Sequence, residues 1–156
     1  MLSRTRVKTL IKGIRHTGIV VNDINKMVAF YKDILGMKKV LETIEEGKYI
    51  ETIIGLHSIR LHIIKLLTPD NSMIELLKYE GVNNTVQRDN FLWRQGITHI
   101  AFTVDDIDRI YMTLKKYGID FISEPILSTD NYAKVCFCRD PEGNFLELVE
   151  VMKKKK

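Results

Sequence analysis

"GITHIAFTVDDID", residues 96–108, sets a histidine inside a stretch whose apolar residues otherwise read as a buried strand. Eighty-three residues earlier, at 13–25, the chain reads "GIRHTGIVVNDIN". At that offset Gly13, Ile14, His16, Val21, Asp23 and Ile24 match Gly96, Ile97, His99, Val104, Asp106 and Ile107. Each stretch then runs into "VNDIN" or "VDDID", Asn/Asp chemistry suited to capping a helix. The chain carries an internal repeat, and both copies hold a histidine at the same place.

The segments after each strand repeat as well. Met27, Phe30, Tyr31 and Ile34 fall at helical spacing and Gly36 ends the turn; Ile107, Ile110, Tyr111 and Leu114 do the same before Gly118. After the first helix, "KKVLETIEEGKYIETII", "SIRLHIIKLL" and "SMIELLKY" read as extended segments. After the second come "DFISEPIL", "YAKVCFCRD" and "NFLELVEV". The expected class is α+β, with two tandem units of strand, helix and three strands (βαβββ). The first spans 13–80 and the second 96–151, joined by the polar, aperiodic connector 81–95.

At 156 residues the chain has room for one ordinary domain or two small modules sharing a core. Its 45% hydrophobic and 28% charged content is that of a soluble globular protein, and no apolar run approaches the ~18 residues of a membrane span. The basic start "MLSRTRVKTLIKGIRH" lacks an apolar h-region and a small-residue cleavage site, so no secretory signal is read. Net charge is +4, with basic residues gathered at the ends and mixed with acids elsewhere. That pattern argues for a solvated surface and against nucleic acid as a partner. Cys136 and Cys138, at i and i+2 of one strand, read as small packing residues of a cytoplasmic protein.

The last strand of each unit carries a second oddity. "MIELL" and "FLELV" place Glu75 and Glu147 among apolar neighbours, where an unpaired carboxylate costs several kcal/mol. Each therefore needs a cation. One histidine and one glutamate from each unit, His16 with Glu75 and His99 with Glu147, are the expected metal ligands. The common cause is ligation of one metal; His57 and His62 have no repeat partner and read as structural or surface residues.

The stretches "IRHTGIVVNDINKMVAFYKDILGMKKV", "GITHIAFTVDDID" and "RDPEGNFLELVEV" resemble the vicinal oxygen chelate superfamily, which includes glyoxalase I and methylmalonyl-CoA epimerase. The resemblance covers about residues 13–151, and "DPEGNFLEL" is its most specific piece. It implies two βαβββ modules forming a cupped, mainly antiparallel mixed sheet around a divalent metal, with ligands at His16, Glu75, His99 and Glu147. The His-Glu-His-Glu set is similar to glyoxalase I, whereas Val20 stands where glyoxalase I has the arginine that binds the glutathione carboxylate. The ligands are 59 residues apart in the first module and 48 in the second, and the extra length falls in "YIETIIGLHSIRLHIIKLL".

Two imidazoles and two carboxylates suit a six-coordinate N/O site with two open positions. Such a site favours Ni, Co, Mn or Fe(II), with Zn possible. The implied reaction is that of a lyase or isomerase: proton transfer next to a carbonyl through a metal-stabilised enediolate, on a small molecule with adjacent oxygens. By the resemblance Glu147 is the expected proton shuttle and Glu75 the second choice; Glu46 or Glu51 would serve if the base is not a ligand. A metal-dependent dioxygenase and a non-catalytic drug-binding protein of the same superfamily are the alternatives. A homodimer is expected, with Phe91 and Trp93 of the connector covered by the fold or by the partner.

Overall fold

The computed structural model describes residues 10–82 and 91–152. The basic stretch 1–9, residues 83–90 of the expected connector and the lysines 153–156 lie outside the described residues.

The first unit runs β1 (Thr17–Val20), α1 (Ile24–Val28), β2 (Lys38–Glu46), α2 (Lys48–Ile54), β3 (Arg60–Leu67) and β4 (Met73–Glu80). The second runs β5 (His99–Thr103), α3 (Ile107–Lys116), β6 (Ile126–Leu127), β7 (Ala133–Arg139) and β8 (Phe145–Val151). Each builds its own four-stranded sheet, in the orders β1-β4-β3-β2 and β5-β8-β7-β6. The permutation is the same. In both, the first strand pairs parallel with the last, and the remaining pairs are antiparallel. The protein is thus α+β, built of two like modules with mixed, mainly antiparallel sheets.

The caps explain where the helices start. Asp23 accepts from the Lys26 amide at 3.0 Å and Asp106 from the Arg109 amide at 2.9 Å, the same i to i+3 contact at the same repeat position. Helix α1 continues as a π-helix over Ala29–Ile34, and that wider turn carries Phe30 and Tyr31 inward.

One expectation is corrected. "KYIETII" is helical and not extended: Gly47, at φ 84°, breaks β2, and α2 runs to Gly55, at φ 75°. Ile50 and Ile54 sit at i and i+4, so a one-turn period there overrides the strand-forming composition. The expected strand in "DFISEPIL" is short, with Ile126 and Leu127 in ladder and Phe121 bridging Cys138.

The modules share one core. Ile19, Val21, Ile64, Leu66, Ile74 and Leu76 of the first sheet join Cys136, Cys138, Leu146 and Leu148 of the second, with Met27, Phe30, Ile107 and Leu114 from the helices. Each Val, Leu, Ile, Phe or Met among them, when fully buried, contributes about 1.5–3 kcal/mol. Burial pushes the Cys136 thiol up to about 11 and the Cys138 thiol to about 12, with nearby carboxylates adding to both. Both cysteines are packing residues, as their spacing suggests.

A polar lock crosses this core. The Tyr31 hydroxyl donates to Asp140 at 3.0 Å, both groups being buried. Asp140 also accepts from the Glu142 and Asn144 amides and from the Asn144 side chain, while Glu142 accepts from the Asn22 and Asp23 amides of the other module. Burial first, and then the Asp140 charge, hold the Tyr31 phenol far above its ordinary value. The specific "DPEGN" turn therefore clamps one module to the other. Among the described residues no helix is long and apolar enough to cross a membrane.

Candidate metal centre

Side chains alternate across each sheet, so residues between the core-facing ones point the opposite way. Lys65 and Glu75 lie between core residues of the first sheet, Phe137 and Glu147 between core residues of the second. The expected ligands therefore stand on the faces turned away from the shared core.

In the first module, His16 immediately precedes β1, and Gly18, two residues on, pairs with Glu75 across the parallel ladder. The His16 Nε2 atom lies 3.1 Å from Glu75 Oε2. In the second, His99 opens β5, Ala101 pairs with Glu147, and His99 Nε2 lies 3.2 Å from Glu147 Oε2. The same two atoms meet at almost the same distance in both copies. Opposite each glutamate the strand carries a small residue, Gly18 or Ala101, which leaves room beside the carboxylate.

The donor set and its spacing suit a metal. Two ligand atoms each about 2.1 Å from an ion and at right angles to one another lie about 3.0 Å apart. Both pairs have that separation. The His99 Nδ1 atom is hydrogen-bonded to the Thr98 hydroxyl at 2.9 Å, the outer contact that orients a ligating imidazole. His16 Nδ1 is buried with no partner among the described residues.

The two pairs do not join within one chain. Among the described residues no group of three or more His, Cys, Asp or Glu side chains could hold a metal. The expected convergence of all four on one point is thus absent inside a single copy. The physical reason is the shared core: the modules associate through the faces opposite these residues, so each chain presents two separate His–Glu pairs.

The other candidates have different partners. His62 pairs with Glu42 at 2.8 Å and His57 is exposed, as surface readings require. Glu51 accepts from the Ser58 amide at 2.7 Å and closes the loop after α2; Glu46 faces Arg60 at 3.7 Å. Trp93 is 82% exposed and stacks on Phe91, at 4.9 Å between ring centroids, so the described residues of the fold do not cover it.

Two features of the ligand face were not legible in the sequence. Lys65 sits beside Glu75 in the antiparallel ladder and places its ammonium 3.1 Å from Glu75 Oε1. Its equivalent beside Glu147 is Phe137, whose ring meets His99 edge-on at 5.3 Å. The second feature is α2, which fills the extra length between the first module's ligands. Its Ile50 and Ile54 pack with Leu61, Ile63, Leu77 and Tyr79, walling the same face on which Glu75 and Lys65 stand. Tyr79's phenol is raised by burial and then by the Glu75 charge.

Duplicated βαβββ modules of this order define a class of fold, and comparison with known proteins agrees. The family model of the Glyoxalase/Bleomycin resistance protein/Dioxygenase superfamily matches residues 13–148, and the chain belongs to that superfamily. It is 28% identical over 141 residues to a probable lactoylglutathione lyase of Synechocystis sp., covering 90% of this chain and 96% of the relative. Among solved structures, a glyoxalase family protein from Bacillus cereus superposes with a TM-score of 0.84 at 26% identity, over 94% of this chain and 99% of that one. The fosfomycin resistance protein FosX of Listeria monocytogenes, solved with Mn(II) and sulfate, shares the fold with a TM-score of 0.60 at 18% identity, over 92% and 95% of the two chains.

Proposed function

We propose that this chain is a divalent-metal-dependent lyase or isomerase of glyoxalase type, acting as a homodimer. In this reading His16 and Glu75 of one copy and His99 and Glu147 of the other hold each metal. The carrying observation is the repeated Nε2 to Oε2 pair, at 3.1 and 3.2 Å, on equivalent strands of modules whose ligand faces do not meet within one chain. The exposed stack of Phe91 and Trp93 supports association, because large aromatic rings are enriched where surfaces are buried. A relative named lactoylglutathione lyase supports the reaction class, and a fold neighbour holding Mn(II) supports a metal of the Ni, Co, Mn or Fe(II) kind.

A bound divalent cation would supply Lewis-acid stabilisation to the negative charge that develops on a substrate oxygen. The protein's own residues divide the remaining work. Glu75 has both oxygens engaged, Oε1 by Lys65 and Oε2 by His16, and is the more buried glutamate. Glu147 meets His99 through Oε2 and is more accessible. Glu147 is therefore the carboxylate able to take a proton from the carbon next to a substrate carbonyl and return it. Phe137, beside Glu147 in the antiparallel ladder, limits water around it.

Mixing two inactive variants tests the arrangement. In a site shared between copies, a His16→Ala chain paired with a His99→Ala chain rebuilds one intact site per heterodimer. Random exchange should then restore about a quarter of wild-type metal content and turnover. If each site belongs to one chain, no mixture recovers either, and the shared-site reading is lost. Wild-type protein that binds no divalent cation at all would remove the proposed function.

A further inference from the structure

Resting on the metal-dependent reading above, we infer that the site selects a carboxylate-bearing chelator, a 2-hydroxy or 2-oxo acid, and that Lys65 is the residue that sets this specificity. The observation is the juxtaposition of Lys65 Nζ and Glu75 Oε1 at 3.1 Å, on the face that also carries His16. Nothing in the module's architecture demands a lysine there, because the matching place in the second module is Phe137.

A charge count shows what the lysine changes. With neutral imidazoles, the four proposed ligands and a divalent cation sum to zero. Lys65 brings the assembled site to +1. A neutral hydroxycarbonyl would leave that charge uncompensated, whereas a carboxylate on the two open positions would neutralise it. Once Glu75 is committed to a cation, the ammonium beside it is pushed from that ion and needs another anion within reach of its flexible stem. The setting favours a strong contact. The Lys65 side chain is only 24% exposed, and α2 covers the adjoining part of the face by packing Ile50 and Ile54 with Leu61 and Ile63 of β3. Low solvent access strengthens a charge-assisted hydrogen bond and raises the penalty for a ligand that cannot make it. Val20, on the same strand face as Gly18, supplies no cation, so among the described residues Lys65 is the ammonium or guanidinium ion-paired to a proposed ligand.

Glycolate and hydroxyacetone make the decisive probe pair, since they share a hydroxyl beside a carbonyl carbon and differ in charge. Their binding to metal-loaded protein is measured by calorimetry for wild type, Lys65→Met and Lys65→Arg, with metal content determined in parallel. The expected result is a preference of wild type for glycolate, weakened about ten- to a hundredfold in Lys65→Met and largely kept in Lys65→Arg. Hydroxyacetone affinity should be the same in all three, and Lys65→Met should hold its metal as tightly as wild type or more so. Undiminished glycolate affinity in metal-loaded Lys65→Met overturns the inference and leaves the metal-dependent reading standing. Absence of metal from wild type overturns both.

Discussion

The two His–Glu pairs are copies of one design that differ in what stands behind the glutamate. Beside Glu75 the neighbouring strand offers a cation, Lys65; beside Glu147 it offers an aromatic ring, Phe137. The first face is walled by an inserted helix, and the second keeps the shorter connection. His99 is steadied through Thr98, while the buried Nδ1 of His16 has no partner among the described residues. Duplication thus supplied two equal His–Glu pairs, and divergence around them gave the two carboxylates different surroundings. Glu75 is held on both oxygens, by Lys65 and His16, and Glu147 meets His99 through one.

Replacing the imidazoles tests the part that is equal. His16→Ala and His99→Ala should each remove most bound metal and lower turnover by at least about a thousandfold, with intact secondary structure by circular dichroism. If one histidine alone matters, the symmetry of the two pairs is broken.

Replacing the glutamates tests the part that differs. Glu147→Gln should lower kcat by about a hundred- to ten-thousandfold, because an amide still offers an oxygen but cannot accept the proton. Glu75→Gln should be milder in kcat and leave the Lys65 ammonium without its counter-ion. Equal losses in kcat would mean that the Lys65 contact does not distinguish the two carboxylates.

The clamp between modules comes next in size. Asp140→Ala strands the Tyr31 hydroxyl and the Glu142 and Asn144 amides inside the fold, and should cost about 2–4 kcal/mol in urea unfolding. Tyr31→Phe, which keeps the ring and removes the hydroxyl, should cost about 1–3 kcal/mol. Metal chelation, by contrast, should lower the melting temperature of wild type and hardly affect the His16→Ala, His99→Ala double variant.

The smallest effect concerns alkaline pH. Tyr31, Cys136 and Cys138 all hold their protons more tightly in the folded state. Their stabilisation is fully present below the unfolded values, near 9 for the thiols and 10 for the phenol. Above these the unfolded chain loses protons first, so stability should fall as pH rises through about 9 to 12. Native protein should resist thiol reagents at about pH 8, with modification following unfolding; rapid labelling in the native state would contradict the burial of both thiols.

Much of this molecule was legible in its residues. The offset of 83 exposed the duplication, Asp23 and Asp106 marked the helix starts, and alternation in "MIELL" and "FLELV" singled out the two carboxylates. These are local periodicities, and a chain of period 2 or 3.6 announces its faces before it folds. Pairing each histidine with the glutamate of its own module came instead from the sheet order, whose parallel ladder between first and last strands brings them together. The chain could not announce which faces meet. The packing of the modules through the faces opposite the ligands and the approach of Lys65 to Glu75 are tertiary, as is the clamp of Tyr31 on Asp140, 109 residues away. The helix in "KYIETII" was likewise settled by burial of Ile50 and Ile54 against the ligand face and not by composition. Local pattern singled out the two histidines and two glutamates; the balance of long-range burial decided that one chain keeps the two pairs apart.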